Sequence, residues 1–452
     1  MDSFKDAVTR AILDAHRELP TSSTQSRRKL IVAYSGGGDS TALLNVLSES
    51  ADIADELEII AAHVNHGLNA QSTVWEGHCR EGAQALNVHF SCHSLPKDGA
   101  PSGKNLEAWA RELRYAWFES LMSPGDFVAT AHHIDDQFET FLLRLFRGAG
   151  PVGLSAIQTC QTFGQGYLIR PMLAQTKQAV SSYLESREIK YVEDPSNACE
   201  DLDRNYLRHS VLPSIRRRWP HAARKVYEAA ELQQGIANDL KERADTLLDK
   251  IIEPRTAAVS YQEFRALEPV LGYQLIRQWC EREELGIPES RHFREIEKAL
   301  YAASPTASLE LRWKDAVLRY YQDRLYLSRK IRAINPDSRY QWDLRGELKL
   351  PHGVLKCSRD VSGGLDSSLV GRSCEIAYYR HRGERCHPAG RGHSQTLKRL
   401  FQSWRVPPWE RQRQPILWID GEIAAVVPYC ICAPFAAQPG ESGISLEFSL
   451  SD

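Results

Sequence analysis

The sequence lacks the features of a membrane or disulfide-stabilised protein. No run approaches the roughly 20 apolar residues that cross a bilayer, and the first 19 residues mix acids with bases, unlike a signal or transit peptide. The ten cysteines are irregularly spaced and contain no C-x-x-C pair, which argues against a disulfide framework and a standard zinc site. We therefore expect a soluble, cytoplasmic protein with reduced thiols.

One late segment does hold several metal-ligand residue types. Cys374, Cys386, His387 and His393 fall within 20 residues of one another. Their spacing fits no common zinc pattern, so thiols that fill the core or lie in loops are the simpler interpretation.

Net charge is nearly absent, but the basic residues are unevenly distributed. The 452 residues carry a formal charge of −2, whereas residues 204–225 hold seven Lys or Arg and no acid, and residues 372–413 hold ten Lys or Arg and three Glu. These two segments carry +14 together, which leaves −16 for the remainder. Such polarisation is typical of a protein that holds a polyanion against chosen surfaces, although each segment alone also fits a solvated basic face.

Apolar material is sufficient for more than one core, with 42% hydrophobic and 25% charged residues. Strand-like and helix-like runs alternate over the first 200 or so residues, which predicts an α/β fold with a doubly wound parallel sheet and ligands at the carboxyl ends of its strands. We expect this domain over residues 1–218, a small helical domain over 219–330 and an α+β domain over 345–452. The predicted strands of the first domain include residues 30–34, 57–64, 126–132 and 189–194.

A glycine-rich motif, SGGGDS, joins the first predicted strand to the first predicted helix. Its backbone N–H groups and the helix N-terminus would cradle phosphates. It lacks the lysine of a Walker motif and carries Asp39, which is suited to hold Mg²⁺. A purely structural glycine turn is the alternative. The motif comprises Ser35, Gly36, Gly37, Gly38, Asp39 and Ser40.

A second copy of this pattern, SGGLDS at residues 362–367, is interpreted as a chance match. The residues before it make a poor buried strand, and Gly371 interrupts any helix after it, so the phosphate cradle would be missing.

A second polar group, AHHIDDQFET, follows the strand predicted at residues 126–132. If a helix begins near Ile134, Asp136 and Glu139 share one face, and His132 lies just ahead at the carboxyl end of the strand. These side chains would converge on the glycine-rich loop. Acids in the first turn of a helix also complement its dipole, which is the structural alternative.

The glycine-rich motif resembles the PP-loop of the N-type ATP pyrophosphatases, and longer segments resemble the bacterial tRNA(Ile)-lysidine synthetases. Asn69 is a departure, since many members of that family have Arg at this position. The segments that carry the resemblance are residues 108–115, 132–157, 193–197, 204–213 and 397–426.

This resemblance implies ATP-dependent ligation of L-lysine, through its ε-amine, to C2 of cytidine 34 in the CAU anticodon of tRNA(Ile). Adenylation of the C2 oxygen would make AMP the leaving group after pyrophosphate is released. The implied cofactors are ATP and Mg²⁺, and the implied partners are tRNA(Ile) and free lysine. A homodimer is an expectation at the level of the family.

The resemblance also implies roles for single residues. ATP would bind at residues 35–40 with Mg²⁺ at Asp39, and His132 would contact the activated cytidine or its phosphate. Asp136 and Glu139 would receive the lysine, and either could take the proton of its amine.

Basic residues have more open assignments. Arg111 and Arg114 share a helix face and are candidates for the lysine carboxylate or nucleotide phosphates, or one of them is simply solvated. Aromatic residues Phe401, Trp404 and Trp409 are interleaved with the late basic residues and fit a core better than a stacking platform. The predicted tRNA or phosphate contacts are Arg204, Arg208, Lys398, Arg399, Arg405 and Arg411.

Two other functions remain as alternatives. A PP-loop tRNA thiolase uses ATP in a similar way, but the missing C-x-x-C pairs disfavour it. A non-catalytic tRNA-binding protein with a relic loop is disfavoured by the intact Asp39, Asp136 and Glu139.

Overall fold

A computed structural model shows two compact units, Met1–Arg243 and Ala244–Asp452. The predicted division into three domains stays a prediction. No helix among the described residues is long and apolar enough to span a membrane. The structure describes residues 3–20, 27–67, 71–96, 101, 106–193, 203–254, 256–302, 309–330, 334–335, 337–379 and 383–450.

The first unit alternates strands and helices. Its strands are β1 Arg28–Ala33, β2 Leu57–Asn65, β3 His89–Ser94, β4 Phe127–Ala129, β5 Cys160–Phe163 and β6 Gly166–Ile169. Its helices are α1 Ser3–Glu18, α2 Gly38–Ser48, α3 Ala51–Glu56, α4 Ser72–Ala85, α5 Leu106–Ser120, α6 Ile134–Phe146, α7 Pro151–Leu154, α8 Lys177–Ser186, α9 Asp203–Tyr206 and α10 Leu212–Arg218, with a π-helical turn at Leu207–Val211 and a long helix α11, Ala222–Ile251, at the end.

The six strands form one sheet in the order β3-β2-β1-β4-β6-β5, and β5 is its only antiparallel member. Strand β1 is buried on both faces: Leu30 and Val32 belong to one core and Ile31 to another. A continuous apolar run of this kind is what a central parallel strand covered by helices requires. The predicted doubly wound parallel sheet is therefore confirmed.

The strand order reverses between β1 and β4. The chain moves outward through β1, β2 and β3 and then crosses back to place β4 on the other side of β1. Such a reversal opens a crevice at the carboxyl ends of the two strands, where ligands bind in open α/β sheets.

The strand predicted at residues 189–194 is wrong over its described part. Residues 189–193 form no strand. Instead, the Val192 N–H donates to the Gly36 carbonyl at 2.9 Å, and the Tyr191 ring lies beside Gly38. Val192, one of the β-branched residues that suggested a strand, covers the glycine-rich loop here together with Tyr191.

The second unit consists of helices and small antiparallel sheets. Its helices are α12 Tyr261–Arg265, α13 Pro269–Arg282, α14 His292–Glu297, α15 Leu397–Ser403 and α16 Pro408–Arg411. Its strands are β7 Val259–Ser260, β8 Glu310–Trp313, β9 Ala316–Tyr321, β10 Arg324–Arg329, β11 Tyr340–Trp342, β12 Glu347–Leu350, β13 Gly353–Ser362, β14 Leu365–Asp366, β15 Cys374–Tyr378, β16 Arg385–Cys386, β17 Gln395–Thr396, β18 Pro415–Ile419, β19 Glu422–Val426, β20 Cys430–Ile431 and β21 Ser442–Leu450.

One of these sheets falls inside the region predicted to be helical. Strands β7 to β10 pair in the order β7-β10-β9-β8 and follow or flank helices α12 to α14. The helical pattern therefore describes only part of residues 219–330.

The second SGGLDS copy lies in a sheet of the second unit. Gly363 and Gly364 have positive φ between β13 and β14, and the helical segment directly after the motif is a 3₁₀ turn, Ser367–Leu369. The structure agrees that this copy lacks a phosphate cradle.

Candidate active site at the glycine-rich loop

A cavity of about 250 Å³ opens at the carboxyl ends of β1, β2 and β4, where the reversal of strand order places a ligand crevice. It brings together most of the side chains selected from the sequence. The polar residues of its wall are Tyr34, Ser35, Asp39, Ser40, His66, Arg111, Arg114, Tyr115, Thr130, His132 and Asp136.

The glycine-rich loop is held by its own hydroxyl groups. Ser40 Oγ accepts from the Ser35 N–H at 3.2 Å and donates to the Gly37 carbonyl at 3.0 Å. Gly36 has φ +84°, and a Cβ there would come within 2.7 Å of Cys79 Sγ, so the position requires glycine. Helix α2 begins at Gly38, directly after the loop, which gives the strand, loop and helix arrangement that binds phosphate.

A lysine that the sequence did not single out contacts this loop. Lys177 Nζ, from the first turn of α8, lies 2.6 Å from Asp39 Oδ1. The two residues are 138 positions apart, so no local motif links them. Lys177 brings to the loop a cation of the kind that the missing Walker lysine would supply.

His132 is poised as a neutral imidazole. Burial lowers its pKa to about 4, with Asp136 opposing and Arg170 reinforcing the shift, and its Nδ1 is 2.8 Å from Thr130 Oγ1. His66, on the same cavity wall, also has a pKa lowered to about 4 by burial and by Arg114. Near neutral pH both rings are therefore uncharged hydrogen-bonding groups.

Asp136 faces the cavity as a carboxylate. Its Oδ2 accepts from the His133 N–H at 2.9 Å, which caps α6. Burial alone would raise the pKa of Asp136, but the neighbouring His133, His132 and Arg204 lower it. A side chain that is 14% exposed thus keeps a negative charge at the edge of the cavity.

Glu139 lies on the same face of α6, but its carboxylate is already bound. It accepts from Arg204 Nε and Arg208 Nε, each at 2.7 Å, and from Arg208 Nη2 at 3.0 Å. The Glu139 side chain is only 1% exposed. The structure therefore joins these three predicted residues to one another, and in this arrangement neither Glu139 oxygen is open to an incoming lysine.

The same two arginines reach Asp136. Arg204 Nη2 and Arg208 Nη2 each lie 3.5 Å from Asp136 Oδ1. The predicted contact of Arg204 and Arg208 with tRNA or phosphate stays a prediction, and the two side chains are 40% and 38% exposed.

Arg111 and Arg114 line the cavity from α5, opposite the glycine-rich loop. Both guanidinium groups contact the ring of Tyr115, at 4.7 and 5.8 Å from its centroid. Burial lowers the pKa of Arg114, yet a guanidinium stays charged at any physiological pH. The cavity therefore has a cationic side formed by α5 and an anionic side formed by Asp39 and Asp136.

The second basic segment, residues 372–413, contains both exposed and buried basic side chains. Lys398, Arg399 and Arg405 are exposed, as a contact with tRNA requires. Arg411 is not: it is 7% exposed and donates to the Tyr321 hydroxyl at 2.9 Å and to the Val406 carbonyl at 2.9 Å. The prediction that Arg411 contacts tRNA is therefore wrong, because its guanidinium is used inside the domain.

The aromatic residues among these bases pack as expected for a core. Phe401 is fully buried, and Trp404 stacks on Tyr429 at 5.3 Å and 11°. Trp409 contacts Tyr326 edge to face at 5.5 Å.

Two further predictions have different outcomes. Asn69 lies outside the described residues. The late group of metal-ligand residues is not a single cluster, because Cys374 belongs to one hydrophobic core and Cys386 to another.

Comparison with known proteins covers most of the chain. Family models match residues 8–215 as "PP-loop domain", residues 260–326 as "TilS substrate binding domain" and residues 375–448 as "TilS substrate C-terminal domain". The tRNA(Ile)-lysidine synthase of Coxiella burnetii is 33% identical over 93% of this chain and 93% of its own. That of Alkalilimnicola ehrlichii is 37% identical over 90% of this chain and 91% of its own. The chain belongs to the tRNA(Ile)-lysidine synthase family.

Membership of the tRNA(Ile)-lysidine synthase family confirms the resemblance that the motifs indicated. The PP-loop match covers every residue of the cavity wall. The two further matches cover the α12 to β10 region and the late basic segment. Among solved structures, the U34-tRNA thiolase NcsA from Methanococcus maripaludis with its [4Fe-4S] cluster has a TM-score of 0.39 and 16% identity, covering 51% of this chain and 80% of that chain.

Proposed function

We propose that this protein ligates the ε-amine of L-lysine to C2 of cytidine 34 in the CAU anticodon of tRNA(Ile), with ATP as the activating substrate. The observation that carries the proposal is the cavity itself, which places a phosphate loop, a carboxylate and two arginines around one volume of about 250 Å³. ATP phosphates, a cationic amine and an amino-acid carboxylate each find a complementary charge there.

In the first step the C2 oxygen of the cytidine attacks the α-phosphate of ATP, which forms a P–O bond and releases pyrophosphate. The glycine-rich loop and the N-terminus of α2 would hold the phosphates, and Lys177 would add a cation beside them. His132, uncharged near neutral pH, would donate or accept one hydrogen bond to the cytidine without repelling the arginines that surround it.

Mg²⁺ fits the carboxylate of Asp39, which is about one-third exposed beside the phosphate loop. Asp39 would hold the ion, which would supply positive charge beside the phosphates, and Lys177 would supply a second cation from the first turn of α8.

In the second step the neutral ε-amine of lysine attacks C2, a C–N bond forms, and the C2–O bond breaks with departure of AMP. Asp136 would bind the amino-acid substrate through an ammonium group, and Arg111 and Arg114 would receive its carboxylate. Glu139 would act as a positioning residue, because it holds Arg204 and Arg208 against α6.

The thiolase alternative has less support at this site. No cysteine is among the residues that line the cavity. The nearest thiol to the loop, Cys79, is fully buried, and burial raises its pKa to about 12. A protonated buried thiol is a poor nucleophile.

The test is incubation of the purified protein with ATP, Mg²⁺, radiolabelled lysine and CAU-anticodon tRNA(Ile), with methionine tRNA as the control. We expect acid-precipitable label on tRNA(Ile) alone, resistant to mild base, with release of AMP and pyrophosphate. Asp39→Ala should abolish labelling, whereas Asp52→Ala, an exposed residue of α3, should not. Pyrophosphate release without stable lysine label would retain the PP-loop chemistry and refute the substrate.

Homodimer formation is part of the proposal only as a family-level expectation, and light scattering of the purified chain would measure it directly.

A further inference from the structure

Three cysteine thiols meet in the second unit, far in sequence from the glycine-rich loop. The sulfur atoms of Cys386, Cys430 and Cys432 all lie within 4.8 Å of one another. Side-chain hydrogen bonds link Cys386 to both of the others. Cys386 and Cys432 are 5% and 1% exposed, and Cys430 is partly exposed.

The backbone holds these thiols in place through strand pairing. Cys386 pairs with Gln395 between β16 and β17, and Cys430 pairs with Val426 between β19 and β20. Cys430 and Cys432 are two residues apart in an extended segment, so their side chains point to the same face. The cluster is therefore built from two separate parts of the chain.

Two further backbone links join those parts. Pro388 forms a β-bridge with Cys432, and the Ala433 N–H donates to the His387 carbonyl at 2.7 Å. The thiols are thus fixed relative to one another before any ligand binds, whereas the His387 imidazole lies outside the cluster, with its Nε2 2.5 Å from the Arg391 carbonyl oxygen.

The separation of the sulfur atoms suits a metal ion. Zinc–sulfur bonds of about 2.3 Å in a tetrahedron place the sulfur atoms about 3.8 Å apart, which is inside the observed limit of 4.8 Å. Thiolates favour Zn²⁺ or Cu(I) over Mg²⁺ or Ca²⁺, and iron–sulfur clusters usually take four cysteines. The described residues supply three cysteines here.

We propose that Cys386, Cys430 and Cys432 form a zinc site with three thiolate ligands and a fourth position taken by water from the solvent. Zinc binding would displace the thiol protons to solvent and involves no change of oxidation state. The partly exposed Cys430 also lines a cavity of about 310 Å³, which gives the ion a route of entry.

A bound zinc ion would stabilise the elements that carry the basic residues Lys398 and Arg399. Strand β17 leads directly into α15, where Lys398 and Arg399 are exposed, and β17 is held by its pairing with the strand of Cys386. A metal at the cluster would therefore stabilise the surface on which these two cations stand.

The test is metal analysis of the full chain, purified with a thiol reductant and without chelators. We expect about one zinc ion per chain. Cys386→Ser and Cys432→Ser should reduce the zinc content to the background of a metal-free control protein. Cys357→Ser is the matched control, because Cys357 is in the same unit but donates to the Leu344 carbonyl at 3.1 Å, and its zinc content should stay unchanged.

A second measurement keeps the proposal testable if the serine variants do not fold. Alkylation of the intact protein, read by peptide mass spectrometry, should spare Cys386, Cys430 and Cys432 until a chelator is added. Cobalt added to the chelated protein should give the absorption bands of thiolate-to-cobalt charge transfer. Absence of both zinc and cobalt–thiolate bands in the wild-type protein would overturn the proposal, as would a disulfide between two of the three residues under these reducing conditions.

Discussion

Substitution of the buried Glu139 tests whether Glu139 positions the two arginines while Asp136 binds the substrate. Glu139→Gln removes its charge but keeps its size. Three charge-assisted hydrogen bonds, from Arg204 Nε, Arg208 Nε and Arg208 Nη2, are lost or weakened. At about 1.5–3 kcal/mol each these contacts would sum to roughly 4.5–9 kcal/mol.

The net loss of stability should be smaller than that sum. The two arginine side chains are 40% and 38% exposed, so each can turn toward water when its partner is neutral. Glutamine also keeps one acceptor oxygen. We therefore expect the free energy of unfolding to fall by about 3 kcal/mol, which corresponds to a decrease in Tm of roughly 6–12 °C for a unit of this size.

The assay combines thermal unfolding, followed by circular dichroism, with steady-state kinetics in lysine. Glu139→Gln should lower Tm and kcat and leave KM for lysine within about twofold. Asp136→Asn should raise KM for lysine with a smaller change in Tm. Glu58→Gln, an exposed residue of β2, is the matched control. A Glu139→Gln protein with wild-type Tm and a tenfold higher KM for lysine would refute the positioning role.

Three other perturbations test the phosphate loop and its neighbours. Lys177→Met should raise KM for ATP by about tenfold, which corresponds to 1.4 kcal/mol. Lys190→Met is the control, because Lys190 is exposed and follows α8, and KM for ATP should stay unchanged in the same assay. Gly36→Ala should abolish tRNA-dependent pyrophosphate release and lower the free energy of unfolding by about 1–3 kcal/mol, because φ there is +84°. Gly235→Ala is the control, because Gly235 lies in a helix and an added Cβ would meet open space. Its free energy of unfolding in urea should stay unchanged or rise. His132 has its pKa lowered from 6.5 to about 4 by burial, so the stability it contributes is present above pH 6.5 and is lost as pH falls toward 4. The single-turnover adenylation rate should accordingly show no inflection near pH 6.5, and an inflection there that disappears in His132→Gln would contradict this assignment.

The sequence predicts the parts of the fold that depend on residues close together in the chain. The run of apolar residues in β1, the glycine turn and the start of α2 at Gly38 are contiguous, and each supports the others. The segment at residues 189–193 shows the limit of this reasoning, because its β-branched residues satisfy strand propensity while tertiary contact with Gly36 decides their conformation.

The sheet formed by β7 to β10 was missed because its turns lack the usual signal. Hairpins with two-residue loops favour Asn-Gly or Asp-Gly, since their central residues need positive φ. The turn between β9 and β10 has Gln322 and Asp323 at φ +47° and +62°, with no glycine. Because no glycine marks this turn, the sequence pattern favours a continuation of the preceding helices.

The sequence selected several side chains that the structure places around one cavity, but it did not indicate which of the charged residues pair. Lys177 and Asp39 are 138 residues apart, and Arg204 and Glu139 are 65 apart, so no sequence spacing indicates that these charges meet. A sequence shows that Arg204 and Arg208 are basic, but it does not show that carboxylates lie beside them. It therefore favours tRNA as their partner.

The pairing also bears on how the lysine amine loses its proton. The ε-ammonium has an ordinary pKa of about 10.4, and the pKa of Asp136 lies below its usual 3.8 because the neighbouring histidines and Arg204 outweigh burial. Transfer between them would be uphill by about 9 kcal/mol or more, at 1.36 kcal/mol per pKa unit. Both oxygens of Glu139 already accept hydrogen bonds from Arg204 and Arg208, so its carboxylate is not placed to meet the amine. Under the proposed function, Asp136 would therefore bind the substrate rather than take its proton, and the amine that attacks C2 would come from the small deprotonated fraction or lose its proton to a group that arrives with the substrates.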